Sequence, residues 1–195
     1  MIVTVASYKG GVGKTTTAVH LAACLAQRAP TVLLDADEDS NALDWASAGK
    51  LPFPVYGPAD QPEGEQYAHT VIDTQGGLAG QGLELLAQGC DLLVIPTVPG
   101  TLDSNSLLRT VLALQSLPRA AFRVLLVRVP PPPETEGANV RAFLDAQGVP
   151  MFAAEIPRLK AYDKAAAQGV LVRDVADRSA RRAWEAYEAA AKELT

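Results

Sequence analysis

Residues 7 to 16 read Ser7-Tyr8-Lys9-Gly10-Gly11-Val12-Gly13-Lys14-Thr15-Thr16, a run in which glycine, lysine and threonine crowd together. Glycines at this spacing let the backbone turn tightly, so that successive N–H groups point inward at an anion. A helix that starts directly afterwards would present its own free N–H groups and the positive end of its dipole to the same place. Lys14 adds a mobile point charge for the outer phosphates of a nucleotide, and the Thr15 hydroxyl suits Mg²⁺. The residues expected to line such a phosphate cradle are Gly10, Gly11, Val12, Gly13, Lys14, Thr15 and Thr16.

Two further carboxylate groups stand at the ends of apolar runs. Leu33-Leu34-Asp35-Ala36-Asp37-Glu38-Asp39 follows one run, and Val71-Ile72-Asp73-Thr74 closes another. Taken alone, the first would read as a solvated acidic turn. No Asn-Lys-x-Asp sequence occurs anywhere in the chain, which favours adenine over guanine as the base. His20 and His69 adjoin no other acid–base candidate and read as structural. Cys24 and Cys90 have no metal-ligand spacing and read as small core residues in a reducing, cytoplasmic setting.

The elements that must position these groups alternate along the chain. Short apolar strands are expected at 2–6, 31–35, 69–73, 91–96, 123–129 and 151–156. Helices are expected at 15–28, 83–88, 104–117, 137–147, 161–168 and 178–194. Residues 51–66, rich in Pro, Gly and acids, read as a loop with at most a short strand. Strands that are apolar throughout, each followed by a helix, imply an α/β fold. The sheet would be mostly parallel and twisted, with helices on both faces. At 195 residues the whole chain, 1–195, reads as a single domain.

The net charge of −5 excludes a protein basic all over, but the average hides an asymmetry. Residues 1–118 carry 5 basic and 12 acidic side chains, whereas residues 119–182 carry 11 and 7. On a final helix, Arg178, Arg181 and Arg182 fall within one sector of ~100°, opposite Trp184, Tyr187, Ala191 and Leu194. Such a helix can dock its apolar stripe while the arginines face water. Three glutamates against one lysine among residues 183–195 argue against a basic membrane anchor.

The run Lys9 to Thr15 meets in full the pattern KGGxGK[ST] and so resembles the deviant Walker A box of the ParA/MinD family of ATPases. Tyr8 stands where the commoner P-loop pattern has its first glycine, and Lys9 is the additional lysine that marks the family. The resemblance implies that Lys9 and Lys14 act catalytically, with Lys9 reaching the phosphates of a partner subunit across an ATP-dependent homodimer. The acidic run resembles the family's second motif, with Trp45 following, although Glu38-Asp39 replaces the usual Pro-Gln. Asp37 then maps onto the carboxylate that positions the attacking water, and Asp35 onto one near Mg²⁺. His69–Thr74 resembles a Walker B strand, in which Asp73 holds Mg²⁺ through water. Gln75-Gly76-Gly77 follows where relatives often have proline. Ile95-Pro96, Asp103 and the segment from Ile156 to Val172 look like later landmarks.

The resemblance is strongest to small ParA-type partition ATPases without an N-terminal helix-turn-helix. It implies slow, partner-stimulated hydrolysis of ATP with Mg²⁺. It further implies non-specific DNA binding at the nucleoid, and a ParB-like centromere-binding partner in plasmid or chromosome segregation. Arg158, Lys160 and Lys164 would extend the basic patch of Arg178, Arg181 and Arg182. A membrane-cycling positioning ATPase like MinD, or another deviant Walker A ATPase, is the alternative.

Overall fold

A computed structural model describes residues 1–57, 59–60, 66–77, 81–100, 111–116 and 121–194. Six strands form one wholly parallel sheet: β1 Ile2–Val5, β2 Thr31–Ala36, β3 Val55–Tyr56, β4 His69–Thr74, β5 Leu92–Thr97 and β6 Phe122–Leu126. Their order across the sheet is β3-β2-β4-β1-β5-β6. The register pairs Val5 and Asp35 each with Asp73. The chain leaving β1 and the carboxylates ending β2 and β4 therefore emerge side by side at the carboxyl edge of the sheet. In open parallel sheets that edge is where ligands bind.

Alternation along the strands sends side chains into two separate cores. Val3, Val5, Val71, Val94, Leu125 and Val127 face one side. Leu93, Ile95, Phe122, Val124 and Leu126 face the other. The first core is closed by α1 Lys14–Ala26, α2 Asn41–Ala46, α6 Lys160–Gln168 and α7 Ala180–Lys192. The second is closed by α3 Gln81–Gln88, by α4, whose described part covers residues 111–115, and by α5 Glu136–Ala146. The expected two-faced parallel sheet is thus observed. Helix α1 is buried on nearly every side, from Lys14 to Leu25, because it lies between the sheet and α7.

Three expectations are modified. Residues 151–156 do not form a continuous strand: the segment is bridged to Val124 of β6 at Met151, and just past it Pro157 is bridged to Val129, while the N–H groups of Phe152 and Ile156 donate to Val124 and Leu126 of β6. Between them the N–H groups of Ala153 and Ala154 donate to the Glu193 carboxylate, both at 2.8 Å, instead of to a neighbouring strand. Helix α2 was not anticipated, since six residues carry too little periodicity to read. The last helix starts at Ala180, so Arg178 lies just outside it. Asp103 and most of the expected helix 104–117 fall outside the described residues.

Candidate active site

The loop between β1 and α1 has the backbone a phosphate cradle needs. Gly11 and Gly13 adopt φ of 72° and 91°, a region that side-chain-bearing residues avoid. Gly13 is also the residue from which α1 starts, and no acidic side chain occupies the first turn to compete for its N–H groups. The buried Ser7 hydroxyl donates to the Lys9 carbonyl at 2.6 Å and ties the loop's entry to its middle. Beyond β4, Gly76 presses against this loop. A Cβ there would lie 3.0 Å from Gly10 Cα and 3.3 Å from Lys14 Nζ, so a side chain at this position would press the two segments apart by a few tenths of an ångström.

A cleft of about 810 Å³ opens over the loop. Gly10, Gly11, Gly13, Lys14, Thr15 and Thr16 form one wall, the acidic residues 37–39 another, and Gln75, Gly76 and Gly77 a third. Val12 lies instead beneath an adjoining cleft of about 470 Å³, bounded by Pro157, Leu159, Tyr162 and Tyr187. Gly13, Thr16 and Arg128 line both spaces. One cleft is polar and rich in N–H groups; the second offers an aromatic and proline wall wide enough for a base. Together they offer room for the phosphates of a nucleotide on one side and its base on the other. Of the two segments that the sequence offers for holding the base, after Val129 and around Pro157, only the second borders this cleft; Val129 and the prolines after it line a separate hollow. The part of Tyr162 and Tyr187 in that wall was not anticipated, because α6 and α7 reach it only through the tertiary fold.

Charge is stored here without partners. Lys14 is 7% exposed, and among the described residues no carboxylate lies within ion-pair distance of it. Asp73 is fully buried and neither carboxylate oxygen has a hydrogen-bond partner. Burial pushes its pKa up to about 7; the nearby Thr15 hydroxyl opposes the rise, Asp35 adds to it, Lys14 opposes it and Asp37 adds to it. An unpaired buried carboxylate is costly unless a cation meets it. Asp73 and the Thr15 hydroxyl therefore make a fitting donor pair for a hard cation such as Mg²⁺. Among the described residues no three His, Cys, Asp or Glu converge on a metal site. Mg²⁺ would supply charge neutralisation on the phosphates, and this chain would contribute Thr15 and Asp73 to holding it.

Asp35 also has a purpose in the fold. One oxygen accepts the N–H of Asp37 at 3.1 Å, and the other accepts the N–H groups of Ala42 and Leu43, both at 2.9 Å. The carboxylate satisfies donors at the start of α2 that would otherwise lack partners, and it fixes the turn that presents Asp37. Asp37 in turn accepts the N–H of Asp39 at 3.1 Å and lines the cleft. The indole of Trp45 closes this corner and donates to the Val170 carbonyl at 3.0 Å.

Lys9 behaves unlike Lys14. It does not line its own chain's cleft, and its ammonium sits 5.8 Å above the centre of the Tyr8 ring, within cation–π range. Tyr8 itself packs against the second core.

The six basic residues expected on the surface are all exposed, but they divide into two groups. Arg158 pairs with Glu134, Lys164 with Asp177 and Arg181 with Glu185, at 2.6, 2.7 and 2.7 Å. Among the described residues no ion pair engages Lys160, Arg178 or Arg182. The opposite stripe of α7 is buried as expected: Trp184, Tyr187, Ala191 and Leu194 are all within the first core. His20 is structural. It stacks on Tyr187 at 4.8 Å, bonds the Thr16 carbonyl at 2.7 Å and accepts the Val172 N–H at 3.1 Å.

A two-sided parallel sheet with this glycine loop and these strand-end carboxylates defines a P-loop nucleotide-binding protein. Residues 3–172 match the CobQ/CobB/MinD/ParA nucleotide binding domain, and the chain belongs to that family of ATPases. It is 36% identical over 201 residues to the Maintenance of carboxysome distribution protein A of Gloeobacter kilaueensis, covering 99% of this chain and 93% of that protein. Among solved structures, the fold matches an ATP complex of a McdA variant from Cyanothece with a TM-score of 0.75. The identity is 20%, and the match covers 99% of this chain and 95% of that one. It also matches MinD of Pyrococcus horikoshii complexed with Mg-ADP, with a TM-score of 0.68 and 20% identity over 99% and 95% of the two chains. Among the described residues no helix is long and apolar enough to cross a membrane.

Proposed function

We propose that this chain is a positioning ATPase, in which Mg-ATP assembles a homodimer that binds DNA without sequence preference and is released by hydrolysis. The observation that carries this reading is the division of labour between two lysines of one loop. Lys14 is buried in the cleft of its own chain, while Lys9 lies outside that cleft over Tyr8. A cation so placed suits the phosphates of a facing subunit, where it would neutralise charge developing on the transferred phosphoryl group.

In this reading the loop amides and Lys14 grip the β- and γ-phosphates, and Thr15 and Asp73 hold Mg²⁺. Asp37, braced by Asp35, orients the attacking water. Hydrolysis is slow until a partner protein completes the site. Cations of α6, α7 and the segments before them meet DNA only when two copies stand side by side, because pairing two weak patches raises affinity through effective concentration.

The cargo is a body distributed over the nucleoid. Similarity along almost the whole length to a protein named for carboxysome distribution favours that kind of cargo. Plasmid or chromosome partition with a ParB-like partner is the second reading, supported by the motif resemblance.

Sedimentation with a non-hydrolysable ATP analogue tests the dimer. The wild type is expected to dimerise with analogue and not with ADP, while Lys9→Ala binds the analogue but stays monomeric. Equal dimerisation of wild type and Lys9→Ala would remove the basis of the reading.

A further inference from the structure

Arg128 has a backbone conformation that its side chain does not favour. It follows β6 with φ of 53°, one of only two non-glycine residues among those described with positive φ. A residue of this kind is strained, and such strain persists where the surrounding structure enforces it. Here the enforcement is visible on both sides. The Val127 N–H donates to the Thr97 carbonyl at 2.9 Å, and the Val129 N–H donates to the Ile156 carbonyl at 3.0 Å. The turn is thus pinned before and after Arg128, and it sets the side chain at the seam between the two clefts.

The seam has a defined chemistry. On one side lies the glycine loop, where the outer phosphates belong; on the other lies the wall of Pro157, Leu159 and Tyr162. The residues common to both clefts are Gly13, Thr16 and Arg128. A nucleotide laid across them places its innermost phosphate at the junction. Among these three residues Arg128 is the one charged side chain, and no ion pair with a described residue engages it. Guanidinium presents donors in a planar fork that fits two phosphate oxygens at once.

We propose that Arg128 binds the innermost phosphate of the nucleotide, and that its left-handed turn serves to aim it there. The inference rests on the nucleotide site described above but not on dimerisation or DNA binding. It carries a specific signature. A contact to the innermost phosphate is shared by ADP and ATP, so it sets affinity for both and leaves the ratio between them, and the choice of base, unaltered. It is a binding residue and not a catalytic one.

Arg128→Gly separates strain from contact, because glycine adopts positive φ at no steric cost. Binding of fluorescent ADP and of a fluorescent non-hydrolysable ATP analogue, both with Mg²⁺, should weaken by roughly 10-fold or more, in equal measure. The thermal midpoint without nucleotide should be equal to or above that of the wild type. Arg128→Lys should recover part of the affinity. Wild-type affinity in Arg128→Gly would overturn the proposal. So would a loss confined to the triphosphate, which would move the contact outward, or an altered preference between adenine and guanine nucleotides, which would move it to the base. Lys14→Ala runs alongside as the control for the site itself. If that variant also binds as well as wild type, the nucleotide site has been misplaced; if it alone loses binding, only the role of Arg128 fails.

Discussion

The phosphate loop with its neighbouring strand end and the basic surface of the C-terminal half both gather charged side chains, yet the fold treats them in opposite ways. Around the loop, Lys14 is buried without an ion pair to a described residue, and the Asp73 carboxylate is buried with neither oxygen hydrogen-bonded. On the surface, Arg158, Lys164 and Arg181 are exposed and already satisfied by carboxylates of the same chain. Burial without compensation costs stability, and a fold retains it where a ligand repays the cost. Exposed ion pairs cost almost nothing to form or to break. The first region is committed to its ligand; the second is only predisposed.

The largest effect should come from the committed region. Lys14→Ala removes the buried ammonium from the phosphate cradle and should weaken Mg-ATP binding by roughly 100-fold or more. Isothermal titration would show it, with circular dichroism confirming that the fold is retained. An affinity within a few-fold of wild type would erase the contrast between the two regions.

Asp73→Asn sharpens the same contrast from the side of stability. The neutral amide is nearly the shape of the carboxylate but carries no charge to desolvate. Without Mg²⁺ or nucleotide, at a pH above the Asp73 pKa of about 7, the variant should melt higher than wild type by roughly 5 °C. Its ATP turnover should nevertheless fall to background. A lower melting point would mean that Asp73 already has a stabilising partner.

His20 offers a pH test of how the two regions are joined, since it ties α1 to α7 and to Val172. Its pKa is lowered to about 4, mainly by burial; the Thr16 carbonyl opposes this and Arg173 adds to it. The folded state therefore binds fewer protons than the unfolded state between about pH 6.5 and 4. Stability contributed by neutral His20 is present above that window and is lost as pH falls through it. His20→Phe keeps the stacking on Tyr187 but does not titrate. Between pH 7 and 5, wild type should lose about 2 kcal/mol more than the variant in urea melts. Parallel losses would indicate that the imidazole is protonated within the fold.

The smallest effect should be within the surface itself. Replacing Lys160, Arg178 and Arg182 by Ala should reduce ATP-dependent DNA retention more than replacing Arg158, Lys164 and Arg181. The second group must first leave its carboxylates. Each phosphate contact removed should lower the slope of log affinity against log salt by roughly 0.9. Equal losses from the two triple variants would mean that the intrachain ion pairs give way to DNA freely.

What could be read from sequence follows the same divide. The glycine loop, the strand before it and the helix after it are determined by residues within one turn of each other, so spacing alone revealed them. The buried stripe of Trp184, Tyr187, Ala191 and Leu194 was equally legible, because a helix imposes its own period. Features that depend on distant residues were not. Helix α2 is capped by Asp35 from outside the helix, and residues 153 and 154 are drawn from the sheet by Glu193, some forty residues on. The pairing of three surface cations depends on where Glu134 and Asp177 come to rest, and Glu185 reads as its partner's neighbour only once the helix is formed. Arg128 carries no sequence mark of its turn, since nothing but the fold demands positive φ there.

Retention on DNA that depends on the bound nucleotide would distinguish a committed phosphate site coupled to the basic surface from two independent regions. Full-length protein is passed over immobilised non-specific duplex DNA at low salt with a non-hydrolysable ATP analogue, with ADP, or with neither, each with Mg²⁺. Retention is expected with the analogue alone, falling steeply as salt rises and absent in Lys14→Ala. Retention that is the same in all three conditions, or that fails with the analogue while the analogue is bound, would contradict that coupling.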